Sequence, residues 1–164
     1  MIFENVVSLY SSHDSSISVK IGNKYFIFEL ERITRDRYFT IKNRKTYDDL
    51  SVFEDHLGRI RKDIQKEVDI PEEFDVFIHH DIISSHPDQI KKFNLVKKAF
   101  PSKKEIKAGH HLSHAAASFY QSSFDEAVII SVDGGGNDFG SISFFNIYMA
   151  YWIVTGKQIG RAHV

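Results

Sequence analysis

The chain has 164 residues, enough for one domain with a real core and too few for a two-domain enzyme with an interdomain cleft. With 21 basic and 22 acidic residues its formal net charge is −1, which gives no prompt toward nucleic acid or an anionic membrane. Cysteine is absent, so disulfides and thiolate metal sites are excluded and any metal must take nitrogen and oxygen ligands. No apolar run approaches the roughly 20 residues of a membrane-spanning helix. The opening MIFENVV lacks the basic-then-apolar layout of a secretory signal, and a cytoplasmic protein is expected.

Val6 to Tyr10 is a short apolar run, and Ile17, Val19 and Ile21 alternate with polar residues as in a half-buried strand. Gly22-Asn23 reads as a tight hairpin turn into Tyr25 to Leu30, so the chain is expected to open as a three-stranded antiparallel meander. Between its first two strands lies Ser11 to Ser16, crowded with hydroxyls, His13 and Asp14; turn propensity alone would select Ser and Asp there. The charge-dense Glu31 to Arg37 reads as a solvated strand end, with arginines beside a phosphate pocket as the sharper alternative.

Leu50, Phe53, Leu57, Ile60, Ile64 and Val68 recur at three- and four-residue steps, which predicts an amphipathic helix over Tyr47 to Val68 with His56 at its boundary. Phe74 to Ile78 reads as a strand ending at His79-His80-Asp81, three potential ligands whose plainer reading is a satisfied or exposed pair. A second helix is expected over Asp88 to Phe100, with Ile90, Phe93, Leu95, Val96 and Phe100 inside and lysines outside. Glu105 to Ala108 then forms a short strand.

The most informative stretch is Gly109 to Gly136. His110 and His114 are four residues apart, so a helix over Leu112 to Gln121 would project both imidazoles from one face at metal-ligand spacing, with Ala115 to Ala117 favouring that helix. The plainer reading is a capping or buried histidine pair. Ala127 to Val132 reads as a buried strand delivering Asp133, after which Gly134, Gly135 and Gly136 leave backbone amides open to an anion; a turn aspartate before glycines is the simpler alternative. Ser141 to Tyr148 is expected to hairpin onto Ala127 to Val132, and the whole order predicts an α/β fold with a mixed sheet. GKQIGRAHV, Gly156 to Val164, shows no closing element, and its last six residues match one frame of a common sequencing-adapter oligonucleotide. Residues 149–164 are therefore read as a non-native tail on a truncated lobe spanning 1–148, and His163 is left out of the site.

The segments SHDSSISV (Ser12 to Val19), ELERITR (Glu29 to Arg35), GHHLSHAAASFY (Gly109 to Tyr120) and FDEAVIISVDGGG (Phe124 to Gly136) resemble, in order and spacing, the amino-terminal part of a carbamoyltransferase family. That family includes nodulation-protein and antibiotic-tailoring O-carbamoyltransferases. The resemblance is to their Kae1-like domain and implies an actin/Hsp70/sugar-kinase-like, ribonuclease H-like lobe, incomplete in this chain. It implies that His110 and His114 bind a divalent metal, iron(II) in the best-understood members, and that His111 contacts substrate or supports the ligands. It further implies that Asp133 with Gly134 to Gly136 is one phosphate-binding turn and His13 to Ser16 the other, with His13 and Asp14 near the chemistry and Ser15 and Ser16 on phosphate. Arg35, Asp36 and Arg37 stand where family members often place a lysine, a departure from the pattern.

The activity implied is ATP-dependent O-carbamoylation. Carbamoyl phosphate and ATP would give carbamoyl-adenylate with the help of a second domain, and a hydroxyl of a small acceptor would receive the carbamoyl group. The third metal ligand would be an aspartate from the other half of the fold, so the chain alone is expected to be inactive and to bind metal weakly. A threonylcarbamoyl-adenosine synthase-like enzyme of the same fold and a non-catalytic nucleotide-binding module are the alternatives. A sugar kinase would need its own acidic base and no histidine pair.

Overall fold

A computed structural model describes residues 3–11, 14–37, 39–41, 50–80, 87–124, 126–133, 136–138, 141–143, 147–154 and 158–161. Among these residues the chain is α/β, with four helices and a mixed five-stranded sheet. Its contacts divide it into two compact units, residues 1–107 and 108–164.

The first unit opens with β1 (Asn5–Tyr10), β2 (Ser16–Ile21) and β3 (Lys24–Glu29), paired antiparallel in sequence as expected. Gly22 turns the second hairpin at φ 56°, a left-handed conformation that selects glycine at the first position of a two-residue loop. Alternation then decides the faces: Val7, Leu9, Ile17, Val19 and Ile21 are buried, whereas Tyr25 and Ile27 of β3 stand outward.

Glu31 to Arg37 is not a strand end. Leu30–Thr34 forms a short helix, α1, because Leu30 is drawn into the core and its N–H donates to Ser15 O at 2.9 Å. Arg35 ends it in the left-handed region at φ 56°. Arg32 pairs with Glu29 one turn away on an exposed surface, so this arginine is committed to a local ion pair.

Helix α2 (Leu50–Gln65) buries Phe53, Leu57, Ile60 and Ile64 as their spacing dictates, with His56 at the boundary; the expected start at Tyr47 falls outside the described residues. Strand β4 (Val76–His80) lies parallel to β1, which makes the sheet mixed. Helix α3 (Pro87–Ala99) corrects the expected inner face: Ile90 is exposed, while Gln89, Lys92 and Val96 are buried. Burial pushes the Lys92 ammonium below its ordinary pKa. β5 (Glu105–Ala108) completes the sheet in the order β3-β2-β1-β4-β5. The apolar face of β1 and β2 shares one core with α2 and with Val96 and Phe100.

In the second unit, helix α4 (His110–Tyr120) is followed by β6 (Glu126–Asp133), β7 (Gly136–Asp138), β8 (Ser141–Ser143), β9 (Ile147–Val154) and β10 (Gln158–Arg161). Two expectations change. Ser141–Ser143 pairs antiparallel with Gly136–Asp138, and the partner of β6 is β9, in register from Glu126↔Val154 to Asp133↔Ile147. β9 is longer and richer in β-branched and aromatic residues, which suits it better to an eight-residue partner. Gln158–Arg161, expected to carry no closing element, pairs antiparallel with β9.

Candidate functional site

Helix α4 is built so that two faces do different work. His111, Ala115 and Phe119, four residues apart in succession, are its buried stripe, packing with Leu112 against Ala127 and Ile129 of β6. One position, or about 100°, around the helix lie His110 and His114. Gly109 occupies the N-cap position with extended backbone and no side-chain cap, and its carbonyl accepts both the N–H and the Oγ–H of Ser113, at 3.0 and 2.8 Å. At the other end, Ser122 donates through N–H and Oγ–H to Phe119 O.

His110 Nε2 and His114 Nε2 stand 3.2 Å apart, with ring centroids at 4.7 Å and planes at 78°. Two adjacent nitrogens each about 2.0–2.1 Å from a common metal are separated by roughly 2.9–3.4 Å across octahedral to tetrahedral angles. The observed separation falls in that range. His110 is half-buried and His114 exposed, which leaves an approach from solvent. Among the described residues no group of three His, Asp or Glu side chains is placed to hold a metal. His111 is 0% exposed, and its ring meets that of His110 at 5.2 Å.

Asp133 and Gly136 lie in the same unit. Asp133 is the last residue of β6 and Gly136 the first of β7; Gly134 and Gly135 are outside the described residues. α4 packs on β6 and also contacts β7, so the strand that leaves the turn borders the helix that carries the histidines.

In the first unit the β1–β2 turn is held from above. His13 lies outside the described residues, and Asp14 is exposed at φ 57°, a region that aspartate tolerates. Ser16 is half-buried at the start of β2, opposite Tyr10 and Glu29. Ser15, expected on phosphate, is instead wholly buried: its N–H donates to Phe39 O at 3.2 Å, and its Oγ accepts the Ile41 N–H at 3.1 Å. Thr40 Oγ1 donates to Ser11 O at 3.1 Å, so residues 39–41 form a strap across the turn. No sequence signal marks that strap, because its partners lie about 26–29 residues away. Ser15→Ala removes the acceptor and leaves a buried Ile41 N–H unmet, at a cost of about 1–3 kcal/mol. Urea denaturation should show the loss, and a midpoint equal to wild type would refute it.

His79 resolves as structural. Its Nε2 meets Glu105 Oε1 at 2.9 Å, and its ring packs against both Phe77 and Phe93, at 5.9 and 5.0 Å. A hydrogen bond from Lys97, together with the burial-opposed charges of Lys97 and His79, holds the Glu105 carboxyl below the usual carboxylate range. The plainer reading therefore holds for His79; Asp81 is outside the described residues.

The fold and site define an α/β protein with a mixed sheet and a histidine pair on a helix that packs against β6 and β7. No protein-family model and no curated protein matches the chain. Among solved structures it is similar to full-length HypF, crystallised in a phosphate- and nucleotide-bound form, with a TM-score of 0.55 and 17% identity over 98% of this chain. At that identity the likeness is one of fold, and the chain spans 18% of the HypF chain. No helix among the described residues is long and apolar enough to cross a membrane.

Proposed function

We propose that the chain is the amino-terminal lobe, residues 1–148, of a Kae1-like domain with the actin/Hsp70/sugar-kinase fold, from an ATP-dependent O-carbamoyltransferase. The observation that carries the reading is the 3.2 Å approach of His110 Nε2 to His114 Nε2 on a helix that borders the strand leaving the glycine turn. The sheet order β3-β2-β1-β4-β5 and the fold likeness to HypF in its phosphate- and nucleotide-bound form support it.

On this reading His110 and His114 hold a divalent cation, iron(II) by resemblance, although imidazole suits several metals. A metal bound there supplies Lewis-acid polarisation of a carbamoyl or phosphoryl oxygen. The open amides from Gly134 to Gly136 offset phosphate charge, and Asp133 sets the end of the strand from which they start. His13, Asp14 and Ser16 serve a second contact to substrate or phosphate. No nucleophilic side chain is needed, in agreement with the absence of cysteine. The acceptor is a small hydroxylated molecule, and residues 149–164 lie outside the proposed lobe.

Equilibrium dialysis of the 164-residue chain against Co²⁺, with elemental analysis, tests the site. Wild type should retain weakly bound metal, and the double variant His110→Ala/His114→Ala should lose it. Equal metal in both would remove the metal site and the carbamoyltransferase reading with it.

A further inference from the structure

We propose that His111 is a positioning residue for His110: its buried imidazole fixes the neighbouring ring in the orientation that aims Nε2 at His114. The inference rests on the metal-pair reading above. His110 is the first residue of α4, and a side chain there has no preceding helical turn to lie against. Neighbours one apart on a helix do not ordinarily face each other. Yet the rings of His110 and His111 meet at 5.2 Å with planes at 80°, the edge-to-face arrangement that aromatic pairs prefer.

Two perpendicular contacts thus bracket the His110 ring, one from His111 and one from His114. They are not equivalent. His114 is exposed, whereas His111 is 0% exposed and belongs to the stripe with Ala115 and Phe119 that packs α4 on β6. Only the latter can pass the rigidity of the packed face on to His110. The sequence thereby divides the labour in HHLSH: the outer two histidines offer nitrogen, and the middle one offers a flat, fixed surface.

The test uses the full 164-residue chain, a Co²⁺ titration and the paramagnetic shifts of the His110 and His114 ring protons, with circular dichroism confirming the fold of each variant. His111→Leu fills the buried position with an apolar side chain and loses the flat ring; its Co²⁺ dissociation constant should rise about tenfold, the lower end of effects seen when groups supporting a metal ligand are removed. His111→Phe keeps a flat ring in the same place and should return the constant to within about threefold of wild type, with both ring shifts restored. Equal losses in two folded variants would overturn the ring contact as the cause, and unchanged binding in both would overturn the positioning role. Failure of the underlying metal pair would show differently, as a double variant His110→Ala/His114→Ala that binds Co²⁺ as well as wild type.

Discussion

Phe119→Ala is expected to lower stability by about 3–5 kcal/mol and to weaken metal binding in step. Phe119 is 3% exposed and is the largest buried side chain of the cluster that joins α4 to β6. α4 has 11 residues, and isolated helices shorter than about 12–15 residues are marginal in water, so its helicity depends on that packing. The geometry of the histidine pair depends in turn on helicity, since only a helix stacks positions four apart. Removing the ring therefore acts on His110 and His114 without touching either. Tyr120→Ala is the control: Tyr120 is 70% exposed, and its removal should change stability by no more than about 0.5 kcal/mol. Urea denaturation followed by circular dichroism, with a Co²⁺ titration of each variant, checks both; equal midpoints for the two variants would sink the packing argument.

How far the sequence foretold this structure depends on where each residue finds its partners. The strands β1 to β3, the inner face of α2 and the common face of His110 and His114 follow from spacings of two to four residues, and all of them are found. α1 was hidden because its cause is distant: Leu30 is committed by burial and by the carbonyl of Ser15, not by local propensity. The burial of Lys92 and Ser15 has the same distant cause. A lysine in a lysine-rich helix and a serine in a polar turn both read as surface until tertiary packing covers them.

Alternation in Ser141 to Tyr148 suggests a partner for β6, but it is β9 that offers an eight-residue ladder and pairs with it. The His79-His80 pair shows the converse. Its ligand-like composition is real, and only the position of Glu105 and Phe93 in space shows that His79 is already engaged.

That engagement makes Phe77→Ala the second large effect expected, again about 3–5 kcal/mol, now in the first unit. Phe77 is 1% exposed; its ring stacks on His79 at 5.9 Å and 27° and meets Phe93 edge-on at 5.7 Å and 65°. Phe93 in turn receives His79 at 5.0 Å and Lys97 at 5.6 Å, and Lys97 and His79 converge on Glu105. Truncation thus opens a cavity under β4 and also loosens the base of a polar network joining β4, α3 and β5. A stable domain has a total of about 5–15 kcal/mol, so the change takes a large share of it. Phe77→Leu separates the two contributions: it fills most of the volume and lacks the flat ring, and should cost no more than about 1.5 kcal/mol beyond lost ring contacts. Denaturation midpoints for both variants decide the matter. A loss for Phe77→Ala no greater than that for Phe77→Leu would show that the cavity contributes nothing, which would contradict the burial of this ring as the reason β4 holds its place.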